Sequence, residues 1–154
     1  MDGVSHAVWG ATIVRKPPLV WWAALVGVLP DIISIGYGFI RFRRKYMETL
    51  REFSRSDTLD NSYMRVYYLA HSLVPITVIT IIIALVRPIW TIVAIPYYLH
   101  IIMDVPTHHG IWATRIFYPF SDFHFQGANW WHHRWVNVAN WGALIIVNAV
   151  IILL

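Results

Sequence analysis

The stretch LVWWAALVGVLPDIISIGYGFI, from Leu19 to Ile40, decides the fold that the sequence predicts. A helix needs roughly 20 mostly apolar residues to cross a bilayer, and Asp31 is the only charged residue in this stretch. We therefore predict a spanning helix that carries an acidic side chain directly after Pro30. A carboxylate at that depth costs roughly 2.5–3.5 kcal/mol even on the lenient insertion scale, so Asp31 calls for a functional explanation.

The composition of the whole chain is that of a membrane protein. Hydrophobic residues make up 58% of the 154 residues and charged residues only 13%, whereas soluble domains carry about a quarter charged residues. The 9 Trp and 8 Tyr suit the interface with the lipid headgroups. The absence of Cys excludes disulfides and thiolate metal sites. The length predicts a single domain over residues 1–154.

Three more apolar stretches follow, at about Met64–Val86, Ile89–Val105 and Val136–Leu154, the middle one being short for a span. Ahead of the first span, the stretch from Ser5 to Val14 is too short to cross a membrane. We predict that it forms an amphipathic or re-entrant helix with Ser5 as its N-cap. The expected fold is an all-α polytopic membrane bundle of four spanning helices plus this short N-terminal helix.

The basic residues indicate the orientation of the bundle. Those between the first and second spans are Arg41, Arg43, Arg44, Lys45, Arg51, Arg55 and Arg65. The positive-inside rule places residues 41–65 in the cytoplasm, together with residues 106–135 after the third span. Within the basic segment, the helical spacing of Phe42, Tyr46, Leu50 and Phe53 indicates a surface helix or a cytoplasmic extension of the first span. A pI of 9.6 could also suggest nucleic acid, but clustering between apolar runs favours an orientation signal. The expected partners are membrane lipids and no nucleic acid.

Five potential metal ligands fall at one depth in this topology. The second span enters near Met64, so His71 lies roughly 10 Å into the membrane at 1.5 Å per residue. The third span returns to the cytoplasm, which places His100 and Asp104 in its last turns. Asp31 falls in the cytoplasmic half of the first span. A cytoplasmic N-terminus would start His6 on the same side, so both side chains join this layer. The predicted metal ligands are His6, Asp31, His71, His100 and Asp104.

The chemistry and spacing of these residues suit a divalent ion. His100 and Asp104 are four residues apart, so they share one helix face and can chelate one ion. Imidazole nitrogen and carboxylate oxygen are ligands for zinc, manganese or iron. We expect one or two ions, with zinc the first choice. Taken singly, His71 could be a hydrogen-bonded packing residue and Asp104 a helix cap, but the whole set favours a site.

The segment from Pro106 to Trp135 holds the remaining histidines among many aromatic residues. An interfacial aromatic belt accounts for most of it. His108 continues the series from Asp104 by four residues, so it is a candidate further ligand or substrate contact. Arg115 is a candidate contact for a substrate phosphate and equally fits a positive-inside charge. The other histidines are expected at the surface: His109, His124, His132 and His133.

Short motifs in this order resemble the bacterial membrane-bound metal-dependent hydrolases of the YdjM type. The motifs are Ser5–His6, Leu29–Pro30–Asp31, Ala70–His71–Ser72, His100-x-x-x-Asp104 and Tyr118–Pro119–Phe120–Ser121. They cover about residues 1–125, and the ordered set is more specific than any one motif. The resemblance implies a metal-dependent hydrolase that is integral to the inner membrane of a prokaryote.

The ligand set is also similar to the core ligands of zinc-dependent phospholipase C. That likeness implies one ion on Asp31, His71, His100 and Asp104, with Asp104 bridging to a second ion that His6 helps to bind. The enzyme's free mature N-terminus and its further His-His-Glu cluster have no counterpart here. Glu48 and Glu52, the only glutamates, both lie in the basic segment.

These resemblances imply metal-assisted hydrolysis at the cytoplasmic face. A bound ion would lower the pKa of a water molecule and polarise a phosphoryl or acyl oxygen, and Asp31 or Asp104 would take the proton of that water. The depth of the site favours a substrate that enters laterally, so a phosphoester or ester of a lipid or lipid-linked molecule is expected.

Other functions remain open at this point. A metal transporter or sensor would use the same ligands, but the far halves of the spans, such as Ile76 to Val86, are uninterruptedly apolar. A di-iron oxygenase of the desaturase type needs His-x-x-x-His and His-x-x-His-His boxes, which the sequence lacks. A phosphatidate-type phosphatase needs a Pro-Ser-Gly-His element, which is also absent. The last alternative is a structural membrane protein without a metal.

Overall fold

A computed structural model of the chain describes residues 2–45, 47–49 and 61–154. The helices are α1 (Gly3–Ile13), α2 (Leu19–Phe42), α3 (Asn61–Ala70), α4 (Leu73–Val86), α5 (Thr91–Asp104) and α6 (Arg134–Leu153). Short 3-10 turns cover Arg43–Lys45, Pro88–Trp90 and Gly110–Trp112. These residues include no strand, in agreement with the all-α prediction. The helical pattern predicted from Tyr46, Leu50 and Phe53 falls on residues outside the described ranges.

The number of full spans is smaller than predicted. Helices α2 and α6 are long and apolar enough to cross a membrane, which confirms the length and composition of the first and last predicted spans. The second predicted span is a pair of helices, Ser62–Ala70 and Leu73–Val86, bent by 50° at a break. The third is the 14-residue α5, about 21 Å long at 1.5 Å per residue. The prediction of four full spans was therefore wrong: the described residues hold two, or three if the bent pair is one span.

Hydrogen bonds at the break between α3 and α4 explain why the second span is not continuous. Ser72 caps α4, and its hydroxyl donates to the Tyr118 carbonyl at 2.7 Å, with the Ile116 carbonyl at 3.1 Å as an alternative acceptor. The Ala70 carbonyl at the end of α3 accepts a 2.7 Å hydrogen bond from the Tyr97 hydroxyl. Backbone groups freed by the break are thus satisfied within the protein, as a break at membrane depth requires.

Helix α1 packs antiparallel along α2, and glycines permit the close approach. A Cβ atom at Gly10 would lie 2.3 Å from the Ala23 carbonyl oxygen, and one at Gly27 would lie 2.6 Å from the His6 carbonyl oxygen. Real Cβ atoms do not come this close to backbone, so both positions need glycine. The pairing brings the start of α1 beside Asp31 on α2.

The N-cap of α1 differs from the prediction. The carboxylate of Asp2 accepts a 2.8 Å hydrogen bond from the Ser5 amide, and the Ser5 hydroxyl donates to the Asp2 carbonyl. Asp2, not Ser5, is therefore the N-cap, and α1 begins at Gly3. An aspartate carboxylate is as good an acceptor for the free amides of a first turn as a serine hydroxyl.

Helix α6 packs on α1 through polar side chains. The Trp9 indole donates to Asn140 at 2.8 Å, and the Arg15 guanidinium donates to Asn148 at 2.8 Å. The outer face of α6 is apolar and exposed, for example at Ile145 and Ile152. Apolar side chains outside and polar side chains between helices are the arrangement expected in lipid.

An aromatic cluster joins the start of α3 to the loop after α5. Tyr63, Met64, Tyr67 and Tyr68 are buried together, with Trp112 packed against them. The end of the basic segment and the loop after α5 therefore lie at the same end of the bundle. Which side of the membrane this end faces stays a prediction.

Candidate metal centre

Four separate parts of the fold deliver side chains to one point among α1, α2, α3 and α5. His6 comes from the first turn of α1, and Asp31 follows Pro30 in the middle of α2. His71 stands at the break between α3 and α4, while His100 and Asp104 lie in the last turns of α5. All but Asp31 are buried, at 2% exposure or less.

Asp104 lies at the centre of the group. Its Oδ1 is 3.2 Å from Nε2 of His6, and its Oδ2 is 3.1 Å from Nε2 of His100 and 3.8 Å from Nε2 of His71. Oδ1 of Asp31 lies 3.5 Å from Nε2 of His71 and 3.9 Å from Nε2 of His100. The structure therefore brings together all five side chains that the sequence predicts as ligands.

The side chains form two groups that share His100 and that could each hold a metal ion. One group is His6, His100 and Asp104, and the other is Asp31, His71 and His100; within each group the donor atoms lie within 4.8 Å of one another. Each group mixes imidazole nitrogen and carboxylate oxygen, the donor set of zinc and of manganese or iron sites. Asp104 contacts His6 of the first group through Oδ1 and His71 of the second through Oδ2, so the centre has donors for one or two ions.

Buried imidazole nitrogens without hydrogen-bond partners indicate that the centre can bind a cation. Among the described residues, neither ring nitrogen of His6 nor Nε2 of His100 makes a hydrogen bond, although Asp104 oxygens lie close to both. Leaving a buried polar atom without a partner costs about 1–3 kcal/mol. A cation beside Asp104 would bind the Nε2 atoms of His6 and His100 together with the carboxylates, so the residues present fit a divalent ion.

Backbone carbonyls hold two of the imidazoles in the orientation that a ligand needs. Nδ1 of His100 lies 2.8 Å from the Gly27 carbonyl oxygen, and Nδ1 of His71 lies 2.9 Å from the Tyr67 carbonyl oxygen. With the proton on Nδ1 donated to a carbonyl, Nε2 keeps a free lone pair directed at the centre. Metal-binding histidines are typically oriented by such a second hydrogen bond.

Burial favours the neutral, metal-binding form of His6. The ring stacks on that of His100 with 3.7 Å between centroids. Burial lowers the pKa of His6 even though the Asp104 carboxylate beside it acts in the opposite direction. A neutral imidazole keeps the lone pair that coordinates a metal.

His108 contacts the centre from outside. Its Nδ1 lies 3.4 Å from Oδ1 of Asp104 and 3.2 Å from the Asp104 backbone oxygen. The ring is buried beside Trp131, and burial lowers the pKa of His108 to about 4. A neutral His108 can donate its Nδ1 hydrogen to the Asp104 backbone oxygen. His108 belongs to neither of the two donor groups among the described residues.

Arg115 and the other loop histidines lie apart from the centre. Arg115 pairs with Asp122 and lies over the ring of Tyr68 at 4.0 Å. The histidines predicted at the surface belong to neither ligand group among the described residues, and most are exposed: His109, His124, His132 and His133.

Sequence reasoning missed the residues that support the ligands. Gly27 contributes its carbonyl to His100 and its missing side chain to the packing of α1. Its spacing of four from Ala23 is the small-x-x-x-small pattern of close helix pairs in membranes, so a signal was present. The Tyr67 carbonyl that orients His71 had no comparable signal, because any residue supplies a carbonyl.

The chain matches no protein-family model, and comparisons with curated proteins and with solved structures give no match either. The chemistry of the centre therefore has to follow from its own residues and geometry.

Proposed function

We propose that this protein is a membrane-embedded metal-dependent hydrolase that acts at the cytoplasmic face on a phosphoester or ester of a lipid or lipid-linked substrate. The observation that carries the proposal is the meeting of two carboxylates and three imidazoles from distant parts of the chain, most of them buried. The resemblance of the same residues to membrane-bound hydrolases and to phospholipase C supports the same reaction class.

The five side chains would hold one or two divalent ions, with zinc the first choice and manganese or iron as alternatives. When bound, such an ion lowers the pKa of a water molecule and polarises a phosphoryl or acyl oxygen. His71 and His100 are already oriented for this by their backbone hydrogen bonds.

Asp31 is the better candidate for general base. Its side chain is 25% exposed, while that of Asp104 is only 1% exposed. Asp104 also lies beside four imidazoles, those of His6, His71, His100 and His108. A general base must reach the proton that it takes, so Asp31 would accept the proton while Asp104 holds the ligands together.

The surroundings of Asp31 favour a lipid substrate. The neighbouring side chains of Ile32, Ile33 and Ile35 are apolar and exposed on α2. In a bilayer these side chains face acyl chains, so a lipid could bring its ester bonds to Asp31 without crossing water. This is the physical reason for proposing lateral entry.

The test is metal analysis combined with hydrolysis of fluorescent phospholipids by the purified protein. His100→Ala should lose most of the bound metal and the activity, whereas His109→Ala, at an exposed loop position, should keep both. Asp31→Asn should lower kcat by about 10²–10⁴-fold and keep bound metal at the group that does not include it. Full metal content in His100→Ala would contradict the site.

The same experiment separates the transporter or sensor alternative. Stoichiometric metal without hydrolysis of any phospholipid, diacylglycerol ester or lipid-linked phosphate would favour that alternative. Metal flux into sealed proteoliposomes would then distinguish a transporter from a sensor.

A further inference from the structure

A polar cavity lies between α3 and the loop that follows α5, and none of its lining residues belongs to the two ligand groups. It has a volume of about 290 Å³, close to the lower end of ligand pockets, which run from about 300 Å³. The residues that line it are Met64, Arg65, Tyr68, Arg115, Tyr118 and Asp122. With two arginines and one aspartate, its lining carries a net positive charge.

Contacts within the cavity hold one cation in place. The Arg115 guanidinium lies 4.0 Å from the centroid of the Tyr68 ring and pairs with Asp122. The Arg115 side chain is 26% exposed, while that of Asp122 is 74% exposed. Asp122 is thus the more exposed partner of this pair, and another anion could take its place on Arg115. Arg65 adds a second, exposed cation at the wall.

Tyr68 and Tyr118 connect the lining of the cavity to the residues beside the metal centre. Tyr68, on α3, precedes His71 by three residues, and His71 continues the last helical turn through its amide bond to the Tyr67 carbonyl. Side chains at that spacing are neighbours about 5–6 Å apart at Cβ. Ser72, next to His71, donates a hydrogen bond to the carbonyl of Tyr118, which lines the cavity. Tyr68, which lines the cavity, therefore lies about one helical turn from His71.

We propose that this cavity binds the phosphate of an anionic lipid headgroup, with Arg115 and Arg65 as the recognising cations. Guanidinium groups match phosphate oxygens in planar, paired hydrogen bonds, and here one guanidinium is already fixed by an aromatic ring. The inference deepens the proposed function and rests on it in taking the substrate to be a lipid. It narrows that substrate to lipids with a phosphate beside the cleaved bond.

Calorimetric titration of the detergent-solubilised, EDTA-treated protein tests the cavity without the metal. The probes are dioctanoyl phosphatidate, inorganic phosphate and, as the neutral control, dioctanoylglycerol. We expect phosphatidate to bind and dioctanoylglycerol not to bind. Arg115→Gln should weaken phosphatidate binding about tenfold or more, and Arg65→Gln should weaken it less. Arg87→Gln removes an equal charge beyond the last turn of α4 and should leave the affinity unchanged.

Asp122→Asn provides the decisive variant. If Asp122 competes with the ligand for Arg115, its neutralisation should tighten phosphatidate binding severalfold. This result is informative even if Arg115→Gln fails to fold. If the pair is only structural, Asp122→Asn lowers the melting temperature and does not tighten binding, which overturns the proposal.

The remaining titration outcomes also support or overturn the proposed phosphate site. Binding of inorganic phosphate with the same dependence on Arg115 supports a phosphate site in general, and binding of phosphatidate alone supports a lipid headgroup. Equal binding of dioctanoylglycerol overturns the proposal. The titration measures binding and the lipid assay measures hydrolysis, so the two proposals fail separately. Phosphatidate binding without hydrolysis refutes only the proposed function, and hydrolysis without phosphatidate binding refutes only the cavity.

Discussion

At the scale of single residues, Gly27 links the candidate metal centre to the packing of the helices. Its carbonyl oxygen accepts the Nδ1 hydrogen of His100 at 2.8 Å, and its Cα faces the backbone of His6 on α1. One residue thus orients one ligand and determines how closely the helix that carries another can approach.

Gly27→Ala tests this double role. The added Cβ would lie 2.6 Å from the His6 carbonyl oxygen, so α1 must move away from α2. We expect the free energy of unfolding to fall by about 1–3 kcal/mol, as for other overpacked sites, and bound metal to fall with it. Thermal denaturation in detergent and metal analysis measure the two effects.

Gly36→Ala is the matched control on the same helix, because nothing lies within 4 Å of a Cβ at that position. Alanine is the better helix former by roughly 0.5–1 kcal/mol, so this variant should be neutral or slightly more stable. Equal destabilisation by the two substitutions would show that close approach at Gly27 is unimportant.

At the scale of elements, the break between α3 and α4 brings His71 into the centre. A continuous helix would direct the residues after Ala70 along one axis, whereas the observed bend is 50°. Ser72 maintains the bend by capping α4 and by bonding to the loop at Tyr118. Pro75 lies in the first turn of α4, where a backbone N–H would have no acceptor within the helix. Its missing N–H therefore costs no helical hydrogen bond.

Ser72→Ala tests this element. It removes the cap and the bond to the loop, so we expect a loss of about 1–2 kcal/mol in the free energy of unfolding. Metal affinity should fall as well, because His71 is the preceding residue. Ser121→Ala is the control, since its hydroxyl contacts only the nearby Phe123 amide among the described residues. A Ser72→Ala protein with unchanged melting temperature and metal content would argue against this account of the break.

At the scale of the whole molecule, apolar side chains face outward and polar side chains face one another. Leu85 is 81% exposed on α4, and Ile152 is 76% exposed on α6. Such a surface is unfavourable in water and favourable in a bilayer. Because two helices are also long enough to span, this surface fits a membrane better than it fits water.

The absence of Cys allows single cysteines to test the predicted orientation. We expect Glu48→Cys and Phe120→Cys to react with a membrane-impermeant maleimide only after cell lysis, because both belong to the end predicted as cytoplasmic. Arg87→Cys, which follows α4, should react in intact spheroplasts. The reverse labelling pattern would place the metal centre at the outer face and contradict a cytoplasmic site.

The sequence predicted which side chains meet at the candidate metal centre better than it predicted the spans. Asp31, His71, His100 and Asp104 were visible because ionisable residues are rare in apolar stretches and costly there. The length of a span was less predictable, because apolar composition is equally compatible with a straight helix and with one broken at Ser72. The Tyr97 hydroxyl stabilises the break because it donates a hydrogen bond to the Ala70 carbonyl. Tyr97 and Ala70 are 27 residues apart in the sequence.

By itself, the sequence determined that the chain is helical, that its helices are apolar, and that a few ionisable residues interrupt them at similar depths. These properties are local, since they depend on residue type and on spacing along one segment. The tertiary structure decided that α1 lies against α2 at Gly27, that the chain breaks after His71, and that the two oxygens of Asp104 face different ligands. These features depend on contacts between residues far apart in the chain, which no local pattern specifies.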